Sequence, residues 1–546
     1  MLQLFMTKRE RRTMTRIEFN DCFQYLTGNS PFHWQVRLFE EMIAGRIPDA
    51  CDIPTGLGKT SVIAIWALAL GDDLLKTSDV RRISLRLVYV VDRRVVVDQS
   101  TDEAETMIQK FQKALSDSES PLILKTMAHQ YEQLSFTRSE SLITLSSLRG
   151  QRADNREWCL DPSRPAVIVG TVDMIGSRLL FSGYGGVGRN HRSLQAGLLG
   201  QDALIVIDEA HLSPSFVSTI RSIKESVYHY HLLRPFDVML LSATISSDVS
   251  RINERDSEIF SFDSTAENEE AKRRLYAEKE LYWLSIDLAD SATYQNRKPT
   301  AKQIRELIAK KIVEQALSYE GEGCSVIVFV STVELVNEVT AVLANTLGKD
   351  SESRILKMTG EMRGAERDEL ATGEKFKRFL PYRDRQTQFV TYYLIATSCA
   401  EVGANLDADH GICDLSSLDS MIQRLGRINR FGKVKAAVTV VINKTNLETT
   451  DLNIKKHDME ENQLDKRYKD IQPLSIVQYY TWLTLHKLPK STHGLDASPA
   501  ALRGLPKEPR AYHAVPVVPY LDDARLDDWA MTSLQQAEYA RPLVAY

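Results

Sequence analysis

The strongest chemical signal in the sequence is the segment P-T-G-L-G-K-T at residues 54–60, which is followed at once by an apolar, helix-forming run. Gly56 and Gly58 allow the backbone to curl so that successive N–H groups point into one concavity, the arrangement that binds a polyphosphate. Lys59 would then neutralise the β- and γ-phosphates, and the Thr60 hydroxyl would ligate magnesium. The segment therefore predicts a site for ATP and Mg²⁺, although a glycine-rich turn that only begins a helix has the same composition.

Two adjacent carboxylates follow a second apolar run. Residues 204–207 are typical of a buried strand, and Asp208 and Glu209 come directly after them. Asp208 would hold magnesium through a water molecule beside Thr60, and Glu209 would polarise the water that attacks the γ-phosphate. Adjacent acids are also common where a strand enters a solvated loop, so this pattern gains its weight from the phosphate loop that precedes it.

A cationic cluster marks the second half of the chain, at Q-R-L-G-R-I-N-R over residues 423–430. Gln423, Arg427 and Arg430 are three or four positions apart, which would place them on one face of a helix. A fixed cationic face can stabilise the charge that develops on a transferred phosphoryl group. We therefore expect these three residues to act in catalysis, the alternative being an exposed basic helix.

Further residues extend the predicted site. Gln35 follows aromatic residues and would bind the adenine edge, while Asp407 would contact the ribose or position an arginine finger. The small hydroxyls of S-A-T at residues 242–244 could link nucleotide state to domain closure. The predicted nucleotide-binding set is Gln35, Thr55, Gly56, Gly58, Lys59, Thr60 and Asp407. The predicted nucleic-acid contacts are Arg93, Thr171, Ser331 and Thr397.

Short apolar, β-branched runs alternate with longer helical segments, which predicts an α/β fold with two parallel-sheet lobes joined by a linker. The runs are 85–91, 165–169, 203–207 and 238–241 in the first lobe and 281–286, 326–330, 392–395 and 438–442 in the second. The expected organisation is an N-terminal extension at 1–30, lobe one at 31–250, a linker at 251–278, lobe two at 279–472 and a C-terminal accessory segment at 473–546.

The composition excludes several classes of protein. The 68 Lys and Arg residues against 73 Asp and Glu give a net charge of -5, so any nucleic-acid contact must be a local groove and not a basic coat. The longest apolar run, residues 62–70, is nine residues long, whereas a membrane-spanning helix needs about 20. The six cysteines are scattered without a C-x-x-C pair, which indicates neither a zinc site nor a disulfide framework. We expect a cytoplasmic protein with no membrane partner.

The ordered set of motifs resembles the superfamily-two helicases, which have two RecA-like domains with ATP bound in the cleft between them. The motifs are P-T-G-L-G-K-T, V-V-D-R-R, V-G-T-V-D, D-E-A-H, S-A-T, V-S-T-V, A-T-S-C-A-E-V-G-A-N-L-D and Q-R-L-G-R-I-N-R. More narrowly, residues 51–66, 87–99, 169–185 and 201–212 are similar to the CRISPR-associated helicase–nuclease of type I systems, most of all to the type I-U or I-G subgroup. One departure is Ile53, which stands where the phosphate-loop pattern has its first glycine.

The resemblance covers roughly residues 30–520 and implies an ATP-dependent single-stranded DNA translocase and helicase in CRISPR interference, an antiviral defence. It implies recruitment by an RNA-guided surveillance complex. It also assigns the ATPase centre to the phosphate loop with Asp208 and Glu209, and the sensing of the γ-phosphate to Arg427 and Arg430. Two alternatives stay open, namely an RNA helicase or restriction-type translocase, and a nucleotide-gated scaffold without turnover.

Members of this family cut the strand with an HD-type metal nuclease. The only His-Asp dipeptide here is His457-Asp458, which lies in a charged stretch typical of an exposed helix. We therefore expect no HD nuclease activity from this chain, and a separate nuclease or a missing nuclease domain would supply it.

Overall fold

The computed structural model describes residues 13–76, 81–136, 141–148, 156–183, 187–229, 235–242, 259–287, 300–360, 362, 370, 373–385, 389–401, 405–459 and 474–513. Their contacts divide into two units, of which the first contains the described residues up to Asn268 and the second those from Glu269 onward.

The first unit is a parallel sheet with helices between its strands. Its described strands are β1 (Ala50–Asp52), β2 (Arg86–Val91), β3 (Thr144–Leu148), β4 (Ala166–Thr171), β5 (Ala203–Asp208), β6 (Phe236–Ser242) and β7 (Ile259–Ser261), in the sheet order β3-β4-β2-β5-β6-β1-β7. Its described helices are α1 (Arg16–Thr27), α2 (His33–Ile43), α3 (Val62–Leu75), α4 (Arg94–Lys113), α5 (Leu122–Leu134), α6 (Glu157–Leu160), α7 (Val172–Leu179), α8 (Arg189–Gly200) and α9 (Pro214–His229).

The register of this sheet explains where its polar residues gather. Strands β2, β4 and the apolar part of β5 are fully buried, because helices cover both faces of a parallel sheet and leave no solvent-facing row. Asp52 pairs with Ser242, and Asp208 pairs with Leu241. The carboxyl ends of β1, β5 and β6 therefore meet at one edge, which is where open α/β sheets bind ligands.

The second unit repeats the architecture with one added strand. Its described strands are β8 (Lys279–Ile286), β9 (Ser325–Phe329), β10 (Ile355–Met358), β11 (Tyr392–Ala396), β12 (His410–Asp414), β13 (Ala436–Asn443) and β14 (Leu495–Asp496), in the order β10-β11-β9-β12-β13-β8-β14. Of the described pairings, only that of β14 with β8 is antiparallel. Its described helices are α10 (Glu269–Leu275), α11 (Ala301–Leu317), α12 (Val333–Leu347), α13 (Ser351–Arg354), α14 (Glu374–Lys377), α15 (Leu418–Leu425), α16 (Lys444–Met459), α17 (Leu474–Leu485) and α18 (Pro499–Arg503).

The predicted α/β fold with two parallel sheets is confirmed, and three segments need a different description. Residues predicted as an N-terminal extension include α1, whose Phe19 is fully buried and stacks on Phe39 at 4.3 Å between ring centroids. The predicted linker contains β7, which pairs with β1 as the last strand of the first sheet. The predicted accessory segment contributes α17 to the core of the second unit, through buried side chains such as Val477 and Leu485.

Among the described residues, none of the helices combines the length and the apolarity that crossing a bilayer requires.

Candidate active site

The phosphate loop follows β1 and leads into helix α3. Gly56 and Gly58 have φ angles of 84° and 72°, a left-handed backbone that glycine adopts without the strain a side chain would add. A short 3₁₀ turn at Lys59–Ser61 then leads into α3. Trp34 anchors the loop, because its Nε1–H donates to the carbonyl of Leu57 at 3.2 Å.

Lys59 and Glu209 form the charged centre of this edge. Lys59 Nζ lies 2.7 Å from Glu209 Oε1, and both residues are only 8% exposed. Glu209 has a left-handed φ of 49°, which turns the chain sharply after β5. On its other side His211 Nδ1 lies 3.5 Å from Glu209 Oε2 and 3.2 Å from the hydroxyl of Ser242. Ala243 and Thr244, which follow Ser242 in the S-A-T motif, lie outside the described residues.

Asp208 and Thr60 provide the oxygen atoms that a magnesium ion prefers. Asp208 Oδ1 accepts the backbone N–H of Glu209 at 3.0 Å, and Oδ2 accepts the hydroxyl of Tyr89 at 2.9 Å. Burial and the neighbouring Glu209 charge raise the pKa of Asp208 to about 6. Thr60 and Asp208 are the chain neighbours of Lys59 and Glu209, which form the ion pair described above. The two predicted metal ligands therefore lie in the same region, and their oxygen atoms fit Mg²⁺.

Gln35 occupies a different position from the one predicted. It is 3% exposed, its Oε1 accepts the N–H of Phe32 at 2.7 Å, and its Nε2 donates to the Ser61 hydroxyl at 2.6 Å. Both ends of the amide are therefore engaged in bracing the phosphate loop against α2, so in this conformation Gln35 does not present its amide to adenine. Glu267 completes the brace, because its carboxylate accepts the backbone N–H groups of His33 and Trp34, each at 2.9 Å.

The remaining member of the predicted nucleotide-binding set in this unit, Thr55, is half-buried in the loop between β1 and Gly56.

The arginine motif of the second unit is not the continuous helix that the spacing predicted. Helix α15 ends at Leu425 and is capped by Gly426. Gln423 is inside it and 2% exposed, whereas Arg427 and Arg430 lie in the turn beyond. The prediction that the three share one helical face is wrong, because Ile428 leaves the helix to form a bridge with Ala408.

Arg424, which the sequence analysis did not single out, is the buried arginine of this motif. It is 1% exposed, and its Nε donates to Glu401 Oε1 at 2.7 Å. Its Nη1 donates to the carbonyl and to Oδ1 of Asp414, both at 2.8 Å. These contacts engage Arg424 in holding α15 to the ends of β12 and the preceding loop, so we infer a structural role for it.

The two predicted arginine fingers are anchored by hydrogen bonds and are more accessible than Arg424. Arg427 Nε donates to the carbonyl of Glu401 at 2.8 Å. Arg430 Nη1 donates to Asn405 Oδ1 at 2.8 Å, and its backbone N–H donates to Asp407 Oδ1 at 2.7 Å. Asp407 thus contacts the arginine motif, as one of its two predicted roles requires.

The second predicted role of Asp407, contact with ribose, does not fit this structure. Its side chain is 0% exposed and accepts from Arg385 Nη2 at 2.6 Å. Arg383 and Asp409 complete a four-charge network, with Arg383 Nη2 2.6 Å and Arg385 Nε 2.9 Å from Asp409 Oδ1. The carboxylate is therefore enclosed by the protein and has no surface to offer a sugar.

Asn429 is a second residue that sequence reasoning missed. It is fully buried with a φ of 42°, and asparagine tolerates that conformation better than most residues. Its Oδ1 accepts the N–H groups of Lys433 and Val434 at 2.8 and 3.2 Å, and its Nδ2 donates to the carbonyl of Glu278 at 3.1 Å. One amide thereby shapes the turn that carries both predicted fingers.

The predicted nucleic-acid contacts have unequal accessibility. Ser331 is exposed, but its N–H and hydroxyl both donate to Asp414 Oδ2, at 2.7 and 2.6 Å. Arg93 is partly exposed and lies 3.7 Å from the carboxylate of Asp92. Thr171 and Thr397 are 7% and 8% exposed at the ends of β4 and β11. Each is at the carboxyl end of a strand, and their role in nucleic-acid binding stays a prediction.

One cluster in the described part of the second unit has the composition of a metal site, namely Glu322, Cys324 and His410. However, His410 Nδ1 accepts the N–H of Ala437 at 3.1 Å, so in the neutral ring Nε2 carries the proton. That protonated nitrogen faces Glu322 Oε2 at 3.8 Å, and burial raises the pKa of the Cys324 thiol to about 12. A protonated imidazole nitrogen and a thiol are poor ligands, so we assign no metal here.

The predicted His457-Asp458 pair lies in helix α16, and its side chains lie outside the described residues.

Two models of known protein families match parts of the chain. A model of the DEAD/DEAH box helicases matches residues 33–252, and a model of the C-terminal part of the CRISPR-associated nuclease/helicase Cas3 matches residues 322–433. No match was found among curated proteins.

Solved structures with the same fold include T. fusca Cas3 with ADP, at 15% identity and a TM-score of 0.51 over 91% of this chain and 53% of that chain. They also include Mss116p with ssRNA and AMP-PNP, at 15% identity and a TM-score of 0.52 over 84% of this chain and 80% of that one. The chain thus spans about half the length of the T. fusca protein. The fold is that of tandem RecA-like domains, and the chain is similar to the DEAD/DEAH box helicases over residues 33–252 and to the C-terminal part of Cas3 over residues 322–433.

Proposed function

We propose that the chain is an ATP-driven translocase and helicase that acts on single-stranded DNA in CRISPR interference. The observation that carries the proposal is the buried Lys59–Glu209 ion pair at 2.7 Å, placed between the phosphate loop and Asp208. A cation, a metal-holding carboxylate and a potential water-orienting base meet at the edge where open α/β sheets bind ligands.

The geometry suggests how each residue acts in turnover. The phosphates of ATP would take the place of Glu209 on Lys59, and the freed carboxylate would orient the attacking water. Asp208 and Thr60 would hold magnesium, which when bound neutralises charge on the phosphates. His211 contacts both Glu209 and Ser242. A movement of Glu209 would therefore be transmitted through His211 to the end of β6. Arg427 and Arg430 are proposed as sensors of the γ-phosphate.

Single-stranded DNA is the proposed track because of the likeness to the Cas3 family model. The Mss116p structure is described with ssRNA, which makes RNA the competing track. Recruitment by an RNA-guided surveillance complex, membership of the type I-U or I-G subgroup and a cytoplasmic location belong to the same proposal.

The test is ATP hydrolysis by the full chain with no nucleic acid, with single-stranded DNA and with RNA of the same sequence. We expect DNA to stimulate hydrolysis and RNA to stimulate it less, because the 2′-hydroxyl is the group that distinguishes the two backbones. Glu209→Gln should abolish turnover. Asp202→Asn is the matched control, since Asp202 forms a comparable buried pair with Arg81 at 2.7 Å outside the site. Hydrolysis by Glu209→Gln at the wild-type rate would refute the assignment, and stronger stimulation by RNA would replace the proposed track.

The absence of HD nuclease activity is a separate proposal with its own test. Single-stranded DNA would be incubated with the chain, ATP and manganese or nickel, and we expect the DNA to stay intact. Metal-dependent cleavage that is lost in His457→Ala would contradict this proposal while leaving the ATPase assignment unaffected.

A further inference from the structure

One buried hydroxyl holds a carboxylate that is proposed to bind magnesium. Tyr89 lies on β2 with 0% of its surface exposed. Its hydroxyl donates to Asp208 Oδ2 at 2.9 Å. Strand β2 pairs with β5, and Tyr89 lies opposite Val206. The phenol ring therefore lies beside the strand that ends in Asp208.

We propose that Tyr89 is a positioning residue for the metal half of the ATP site, an inference that rests on the proposed function. The Tyr89 hydroxyl donates a hydrogen bond to Asp208 Oδ2, so one phenol sets the orientation of the carboxylate that would hold the cation through water.

The carboxylate of Asp208 is fixed from two sides by this arrangement. Oδ2 is held by Tyr89, and Oδ1 is held by the backbone N–H of Glu209 at 3.0 Å. Each oxygen keeps a further lone pair with which to bind a metal-coordinated water. Preorganisation of this kind matters because Mg²⁺ demands near-octahedral geometry and tolerates little displacement of its ligands.

The chemistry of a phenol suits this position. A lysine or arginine in the same place would hold Asp208 equally well, but its charge would compete with the magnesium ion. A phenol, with an ordinary pKa of about 10, donates a hydrogen bond at neutral pH without carrying a charge. Phenylalanine would keep the packing of β2 and lose only the hydrogen bond to Asp208.

The same unit offers a matched control. Tyr131 on α5 is also 0% exposed, and its hydroxyl donates to the carbonyl of Ala67 at 2.8 Å. Tyr131→Phe therefore removes a buried hydrogen bond from a fully buried tyrosine outside the site. A general loss of stability should affect Tyr89→Phe and Tyr131→Phe alike, whereas a change in metal dependence should appear in Tyr89→Phe alone.

The experiment compares the full chain with both variants by two readouts. The first is the affinity for a fluorescent ADP analogue, measured with EDTA and then with increasing Mg²⁺. The second is the Mg²⁺ concentration that gives half-maximal ATP hydrolysis. For Tyr89→Phe we expect unchanged affinity in EDTA and an increase of about five- to tenfold in the Mg²⁺ concentration needed for both metal-dependent readouts, the effect of losing one hydrogen bond. Tyr131→Phe should match the wild type in both.

The outcomes separate this inference from the proposed function. A wild-type chain that neither binds the nucleotide nor hydrolyses ATP refutes the proposed function itself. An active wild type with the same Mg²⁺ dependence in Tyr89→Phe overturns the role of Tyr89 alone. A loss of nucleotide affinity in EDTA would also overturn it, because the effect would then lie in the phosphate loop and not at the metal.

A second pair of variants covers the case in which Tyr89→Phe does not fold. The double variant Tyr89→Phe/Asp208→Asn removes the carboxylate that would be left without its donor, and it is compared with Asp208→Asn alone. If Tyr89 acts through Asp208, the two should show the same Mg²⁺ dependence. A further loss of at least fivefold in the double variant would show that Tyr89 does not act through Asp208.

Discussion

Replacing Glu209 by glutamine should do more than stop turnover, since it should also tighten nucleotide binding. Glu209 holds Lys59 at 2.7 Å, so phosphate has to compete with a carboxylate for the same ammonium group. Glutamine keeps the shape and a neutral acceptor while removing the charge. The glutamine therefore competes less strongly with nucleotide phosphate for Lys59, and the phosphate loop is unchanged.

The magnitude follows from the kind of bond that is lost. A hydrogen bond that involves a charged group contributes about 1.5–3 kcal/mol, and because Lys59 keeps its charge, the change from carboxylate to amide moves the bond from the upper to the lower end of that range. A conservative difference of about 1.4 kcal/mol corresponds to about tenfold in affinity. Both partners are 8% exposed, so water screens this pair less than it screens a surface pair.

Titration with a fluorescent ADP analogue in EDTA isolates this effect from magnesium binding. We expect the dissociation constant of Glu209→Gln to be about tenfold lower than that of the wild type. Asp202→Asn weakens another buried ion pair of the same unit and should leave the constant unchanged. An unchanged or higher constant for Glu209→Gln would refute the view that Glu209 competes with phosphate for Lys59.

Three further predictions concern the nucleic-acid track and the second unit. DNA affinity should fall with salt despite the net charge of -5, by about fiftyfold between about 50 and 200 mM for four phosphate contacts, and a flat salt titration would argue against a track. Asn429→Ala should lower the free energy of unfolding by about 3 kcal/mol, since it strips several buried bonds; an unchanged denaturant midpoint would contradict this. The buried Nζ of Lys279 donates to the carbonyl of Leu425 at 2.8 Å, and burial lowers the pKa of this lysine to about 7. The unfolded lysine keeps its proton up to about pH 10, so the unfolded state binds more protons above pH 7 and stability should rise with pH by at most about 1.4 kcal/mol per unit. Denaturant midpoints at pH 7 and 9 should differ less in Lys279→Met than in the wild type, and an equal difference would contradict the assignment.

The sheets could be predicted because their strands are buried on both faces and therefore appear as continuous apolar runs. The run at 203–207 became β5 (Ala203–Asp208), and the run at 438–442 became the core of β13 (Ala436–Asn443). Strand β1 (Ala50–Asp52) has only three residues, too few for a periodic pattern to emerge. Strand β7 is equally short and lies beside charged residues, which made its segment resemble a linker.

The chemistry of the phosphate loop and the acidic pair could be predicted because each is local in sequence. Contacts between distant segments could not be predicted in this way. Glu267 caps α2 from a position more than 230 residues away, and Tyr89 reaches Asp208 across 119 positions. The spacing of Gln423, Arg427 and Arg430 gave a wrong prediction of one continuous helix, because the helix ends at Leu425 and is capped by Gly426. Residue spacing alone does not show where a helix ends.

The four-charge network around Asp407 limits which mutants can report on catalysis. Its two arginines and two aspartates neutralise one another, and the side chains of Arg383 and Asp407 are 1% and 0% exposed. Removing one member leaves an uncompensated buried charge, at a cost of about 3–5 kcal/mol, whereas replacing a whole set with apolar residues is often neutral. An inactive Asp407→Ala protein would therefore reveal a folding defect before it revealed anything about arginine fingers. Asn405 offers the cleaner probe of Arg430, because Asn405→Ala removes one hydrogen bond of that guanidinium without uncovering a charge.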